Sequence, residues 1–247
     1  MINAPLHYYT QHSNKTINWV GTDQQERQSE IKSNPVEFKK WIASGWDNNS
    51  VIEYVFNEHG FRTDSFDQSR RIAVFGSSQT VGVGLSQEQS WPSIFGKILN
   101  QPIWNLATGS GAIDTCYRMI KYYVEELNIS AIVLAIPEDN KWELWDNKGS
   151  PRLVNGKIQP GIQEICDAWE SHENNKIINR EKNLEAIKYI CYKKQLPFIA
   201  FDLGDANKYT PVEPIDWSRC MCHVGPRYHN AIANWIIEKL LPTISIP

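Results

Sequence analysis

The chain has 247 residues, 41% hydrophobic and 21% charged, with a formal net charge of −3. These values fit a soluble globular protein of one α/β domain with appendages, or at most two small domains, and exclude a disordered or fibrous chain. The weak negative charge, with no basic stripe, speaks against nucleic acid as a partner, and no apolar run is long enough to enter a membrane as a helix.

Residues 1–70 read as an N-terminal extension packed on a main domain of residues 71–247. Met1 to Val20 is polar and aromatic and lacks the apolar stretch of a signal peptide. The five cysteines (Cys116, Cys166, Cys191, Cys220 and Cys222) are odd in number and scattered, which argues for a reducing, cytoplasmic setting, or carriage in a larger assembly, rather than a disulfide framework. Within the extension the pattern predicts one helix, Pro35 to Ala43, and one alternating strand, Val51 to Phe56. Aliphatic residues are too few there for independent folding.

From Arg71 the pattern becomes strand, helix, strand, helix. Strands are expected at Ile72–Phe75, Pro102–Leu106, Ala131–Ile136 and Pro197–Asp202. Helices are expected at Trp91–Leu99, Ile113–Leu127, Lys176–Lys194 and Tyr228–Leu241. The uninterrupted apolar run Ala131–Ile136 marks a central parallel strand, and the alternation implies a parallel sheet covered on both faces. Residues 137–170 read as an irregular insertion with Trp142, Trp145 and Trp169, and with turn signals at Asn147–Gly149 and Asn155–Gly156. Long insertions after a strand end tend to serve as lids or specificity loops.

The first strand breaks into Gly76-Ser77-Ser78-Gln79-Thr80-Val81-Gly82. A Gly/Ser cluster after a strand is commonly only a turn, and this one is neither a Walker A loop nor a Gly-x-Ser-x-Gly elbow. In a doubly wound sheet, however, the loops at strand C-termini converge on one edge. That edge would collect Ser78, the turn Thr108-Gly109-Ser110-Gly111, the loop after Ile136 and the segment Asp216–Pro226 with His223. A hydroxyl, backbone amides and an imidazole are the parts acyl transfer requires: nucleophile, base and oxyanion donors. A loop histidine bonded to a carbonyl is the alternative for His223, and His229, on the last helix, reads as structural.

At these residues the chain resembles the SGNH (GDSL) hydrolases. Gly76 to Gly82 is similar to the first block, Gly-Asp-Ser-x-Thr-x-Gly. Asn105-Leu106-Ala107-Thr108-Gly109-Ser110-Gly111 is similar to the second. Ser218 to Pro226 resembles the last, Asp-x-x-His-Pro-Gly. Tyr54, Asn57, Gly60, Phe61 and Arg62 resemble a pattern that precedes the first block in tailed-phage and bacterial members.

The resemblance implies a three-layer α/β/α, flavodoxin-like fold with a mainly parallel sheet. It also implies a serine ester hydrolase with Ser78 as nucleophile and His223 as general base. Oxyanion donors would come from the amides of Ser78 and of Ser110 or Gly111, beside Gly109. The substrate would be a small-molecule or carbohydrate O-acyl ester, with Trp142 and Trp145 suited to a sugar face.

Three positions depart from the family pattern. Ser77 stands for the first-block Asp. Pro137 stands where an Asn side chain would complete the oxyanion hole, with Asn140 as a substitute from three residues on. Cys220 stands for the Asp that backs the base, and a thiol does not orient an imidazolium as a carboxylate does. Asp216 could take that place, or Ser78 and His223 could act as a dyad. These departures keep two further readings open: a binding or assembly protein whose active site has weakened, and an O-acyltransferase. No cofactor is expected. Cys220-x-Cys222-His223 supplies three soft ligands, but zinc sites want a fourth from a separate pair, so no metal is expected either. Glu138 and Asp139 read as caps of the turn after Pro137, and Arg62 and Arg118 as buried ion-pair partners.

Overall fold

The computed structural model describes residues 5–145, 151–154, 163–203 and 216–240; the two turn signals of the insertion, at 147–149 and 155–156, lie outside them. Near the N-terminus, β1 (Thr16–Ile17) pairs antiparallel with β2 (Tyr54–Val55). Between them run α1 (Gln25–Ser33) and α2 (Pro35–Ala43). The second matches its expected bounds: Asn34 caps it through bonds from the amides of Val36 and Glu37, and Pro35 opens it. No apolar stripe announces α1, because Ile31 is its one buried residue. The expected strand at residues 51–56 shrinks to the two residues of β2, since β1 offers only two partners.

The main body follows in order: β3 (Arg71–Phe75), α3 (Ser78–Val81), α4 (Trp91–Leu99), β4 (Ile103–Asn105), α5 (Ile113–Glu126) and β5 (Ile129–Ile136). The insertion is less irregular than its composition implies. It holds an antiparallel hairpin of β6 (Trp142–Trp145) and β7 (Pro151–Val154), then α6 (Gln163–Glu170). The chain continues through α7 (Glu173–Lys194) and β8 (Phe198–Asp202) to α8 (Pro226–Trp235), which runs on as a π-helical segment, Ile236–Leu240.

Among the described residues the central sheet has four strands, all parallel, in the order β4-β3-β5-β8. Alternation along the strands separates two cores. Ala73, Phe75, Ile132 and Leu134 face Met119, Ile120, Tyr123 and Ile187 of α5 and α7. Ile72, Val74, Ala131 and Val133 face Trp91, Phe95, Tyr228 and Ile232 of α4 and α8. Both faces are therefore covered, giving helix, sheet and helix in three layers. The chain reverses strand order between β3 and β5, and the C-terminal ends beside that switch point are where such sheets place ligands.

A third core joins the N-terminal segment to that edge. Tyr9, Val20, Ile31, Trp41, Trp46, Tyr54 and Phe56 pack with Val81, Val83, Leu85, Ala107 and Cys220. The segment thus completes its core with residues from the Ser78 and His223 loops. Among the described residues no helix is long and apolar enough to cross a membrane.

Candidate active site

Ser78 heads α3 immediately beyond β3. The amides of Thr80 and Val81 donate to the Ser77 carbonyl at 2.9 and 3.1 Å. As the first residues of a helix, Ser78 and Gln79 have amides with no intrahelical acceptor. The turn is anchored from β4, where the Asn105 side-chain amide donates to the Thr80 carbonyl at 2.9 Å. Arg62 anchors it from the other side. The ion pair expected of it is absent among the described residues; its guanidinium donates to the carbonyls of Gly82 and Leu85, each at 2.9 Å, and stacks 4.3 Å from the Tyr54 ring. Arg118 does form its expected ion pair, with Glu143 at 2.7 Å.

The second loop lies against the first. Leu106 N–H donates to the Val74 carbonyl at 2.8 Å and Thr108 N–H to that of Gly76 at 3.2 Å. A Cβ on Gly111 would come 3.2 Å from the Gly76 carbonyl oxygen, and one on Gly109 would meet the Tyr9 ring at 2.6 Å. The Gly111 amide is taken by the Thr108 carbonyl at 3.2 Å, which removes it as an oxyanion donor. Ser110 adopts a left-handed conformation, φ 54°, and among the described residues its amide makes no backbone bond.

His223 arrives on the loop before α8. Its carbonyl accepts from Ser218 N–H at 3.0 Å, and Arg219 N–H donates to the Gly84 carbonyl at 2.8 Å, joining this loop to the one that carries Ser78. The indole N–H groups of Trp41 and Trp46 hold the carbonyls of Arg219 and Trp217 at 3.0 and 2.7 Å. As a result His223 Nε2 lies 2.8 Å from Ser78 Oγ. The ring is 9% exposed, and burial lowers its pKa from 6.5 to about 4, so the imidazole is neutral at pH 7 and able to accept a proton.

Asp216 is not behind that ring. Its carboxylate caps α8, accepting from the amides of Arg227 at 2.7 Å and Tyr228 at 3.3 Å, because a helix start presents amides that need an acceptor. Facing His223 Nδ1 instead are Cys220 Sγ at 3.3 Å and Thr22 Oγ1 at 3.4 Å. Thr22, in the N-terminal segment, carries no motif that sequence inspection could have found.

Asn140 is exposed on the turn after β5, and Pro137 is buried in the position it was expected to relieve. Neither Glu138 nor Asp139 caps that turn by its side chain: Glu138 pairs with Lys141, and Asp139 with Arg180 at 2.9 Å. Trp142 is buried and stacked on Trp169, ring centroids 4.8 Å apart, so it presents no open face to a sugar. The Trp145 side chain lies outside the described residues. His229 is structural, its Nδ1 accepting the Trp91 amide at 2.9 Å.

A cavity of about 180 Å³ opens between the ends of β5 and β8 and is lined by Ser77 and Gln79, the residues on either side of Ser78. Ala135, Ile136, Leu203 and Val224 also line it, with Glu138 and Asp202 at its polar side. The described residues include no cluster of three or more His, Cys, Asp or Glu placed to hold a metal ion.

No family model and no curated protein matches the chain. Among solved structures it is similar to a member of the lipolytic G-D-S-L family from Veillonella parvula, with 14% identity, a TM-score of 0.39, and 69% of this chain and 98% of that one covered. It is also similar to the acetyl xylan esterase Est2A of Butyrivibrio proteoclasticus, with 11% identity, a TM-score of 0.44, and coverage of 72% and 65%. A third is the psychrotrophic esterase EstA from Pseudoalteromonas sp., with 12% identity, a TM-score of 0.37, and coverage of 71% and 98%. At such scores the chemistry rests on this chain's own residues.

Proposed function

We propose that the protein is a serine ester hydrolase of the SGNH type that acts on short O-acyl esters. The observation that carries this reading is the 2.8 Å contact between Ser78 Oγ and the buried, neutral His223 Nε2. Nε2 takes the hydroxyl proton as Oγ attacks the ester carbonyl carbon. The same proton then passes to the departing alkoxide, and water repeats the sequence to release the acid. The amides of Ser78 and Ser110 are the oxyanion donors in this scheme. The small cavity of mixed polar and apolar lining next to the serine loop would take a short acyl chain such as acetyl, and Glu138 and Asp202 would accept from hydroxyls of the alcohol portion.

A fluorophosphonate probe tests the reading. Labelling that disappears in Ser78→Ala, together with hydrolysis of 4-nitrophenyl acetate, is the expected result. Intact protein that neither labels nor hydrolyses overturns it in favour of a binding or assembly role, the reading that Pro137 at the missing oxyanion position supports. Product analysis in the presence of sugar acceptors separates hydrolysis from acyl transfer.

A further inference from the structure

We propose that Cys220 positions the general base in place of a carboxylate: its buried sulfur accepts the Nδ1–H of His223 and fixes the ring with Nε2 toward Ser78. The inference rests on the hydrolase reading for its catalytic meaning, but the bond itself can be tested without turnover.

If Nε2 accepts from the Ser78 hydroxyl, the single proton of the neutral ring sits on Nδ1, and Nδ1–H needs an acceptor. Two atoms are in reach, Cys220 Sγ at 3.3 Å and Thr22 Oγ1 at 3.4 Å. Thr22 Oγ1 in turn donates to Cys220 Sγ at 3.5 Å, so both routes end on the same sulfur. Asp216, the carboxylate nearest in sequence, is occupied by the first amides of α8.

The sulfur is built as an acceptor. Cys220 is 1% exposed, and the Ser218 hydroxyl lies 3.2 Å from Sγ on another side. Three potential donors therefore surround one atom: an imidazole N–H and two hydroxyls. A thiolate accepts from all of them through charge-assisted bonds, whereas a neutral thiol would spend its own proton on one of these groups. The neighbouring Cys222 side chain foremost, with the Ser218 and Thr22 hydroxyls, outweighs burial and draws the Cys220 thiol below its ordinary value. The loop geometry keeps the atom in place. Cys220 precedes His223 by three residues, the spacing of the family's carboxylate, and Arg27 holds the Cys220 carbonyl at 3.2 Å.

In the acylation step Ser78 Oγ forms a bond to the carbonyl carbon while its proton moves to Nε2. The imidazolium then has Nδ1–H on the Cys220 sulfur, and the Nε2 proton leaves on the alkoxide. Cys220 exchanges no proton, electron or covalent bond, so it is a positioning residue.

The test uses the full chain with Cys220→Ala, Cys220→Ser and Cys220→Asp. Nitrogen-15 NMR of the His223 ring at neutral pH reads the tautomer, and 4-nitrophenyl acetate reads turnover. The expected result is the Nδ1–H tautomer in the wild type and mixed tautomers in C220A. In that variant kcat should fall on the order of 10²-fold or more with KM little changed, and C220D should recover most of the loss. If C220A does not fold, the near-isosteric C220S decides. Unchanged kcat and tautomer in the variants overturn the inference while leaving the hydrolase intact. Should the wild type neither label with fluorophosphonate nor hydrolyse, the hydrolase reading falls and the tautomer comparison alone rules on Cys220.

Discussion

Asp23 and Arg219 form a bidentate ion pair, 3.1 and 2.6 Å, across 196 positions of sequence, with both side chains 2% exposed. The same carboxylate accepts from the Tyr54 hydroxyl at 2.6 Å, and that hydroxyl in turn accepts the Gly84 amide at 2.8 Å. One N-terminal residue thereby holds both the segment that carries His223 and the one that carries Ser78. Asp23→Ala leaves a buried guanidinium without its counter-charge, a change that costs about 3–5 kcal/mol in comparable pairs. Urea denaturation of this variant should show a loss of that size, and a loss below 1 kcal/mol would contradict the role assigned to the pair.

Gly84 has φ +80°, and a Cβ there would come 2.8 Å from both Cβ and Oγ of Ser218. Gly45 has φ +93° with nothing within 4 Å of such a Cβ. Gly45→Ala therefore isolates the cost of the left-handed backbone, about 1 kcal/mol, with activity intact. Gly84→Ala adds a collision that pushes the His223 loop away from Ser78. It should lose more stability than the Gly45 variant and on the order of 10-fold to 10²-fold in kcat. Paired thermal melts and initial rates measure both.

The acid limb of kcat/KM should lie far below the ordinary histidine range. Burial holds His223 near 4; Lys141 pushes in the same direction, while Cys222, Glu138 and Asp23 oppose it. The base is active when neutral, so activity is lost as pH falls through the folded value. A shallower decline should precede the steep one, as Cys220, drawn below its ordinary value, gains a proton beside His223 and Cys222. Rates from brief pH jumps on folded protein test this, and a single limb at 6.5 would contradict it.

Three buried histidines make the fold acid-sensitive. Burial lowers His7 and His223 to about 4 and His229 to about 3. The unfolded chain, with histidine near 6.5, binds more protons than the folded one between those values. Stability is therefore complete above about 6.5 and falls as pH drops toward 3–4. The slope is about 1.4 kcal/mol per pH unit for each histidine. Denaturation midpoints across pH 7.5 to 4 should decline with a slope above that of a single histidine, and His229→Gln should flatten it.

Local pattern carried much of the fold. Trp91–Leu99 and Pro35–Ala43 match their expected bounds because an apolar face and a cap or Pro lie within the segment itself. By contrast α1 was missed, since its single buried residue leaves no periodic stripe. The insertion read as irregular because the pairing that makes β6 and β7 a hairpin lies between its residues and not within either strand. At the site, Ser78 and His223 were legible as blocks of residue types in order. Asp216 and Trp142 were misjudged because a carboxylate and an indole look alike in sequence whether they face a substrate or cap and fill the interior.

The sequence by itself determined the four strands of the central sheet, most helices and the pairing of Ser78 with His223 as candidates, because those follow from hydrophobic period, turn chemistry and residue type. Only the tertiary structure decided what stands behind the histidine. A hydrogen-bond partner is selected by distance, and the atoms that meet at His223 come from Thr22, Ser78 and Cys220. Their convergence depends on a buried ion pair and a close backbone approach far along the chain, which no local pattern encodes.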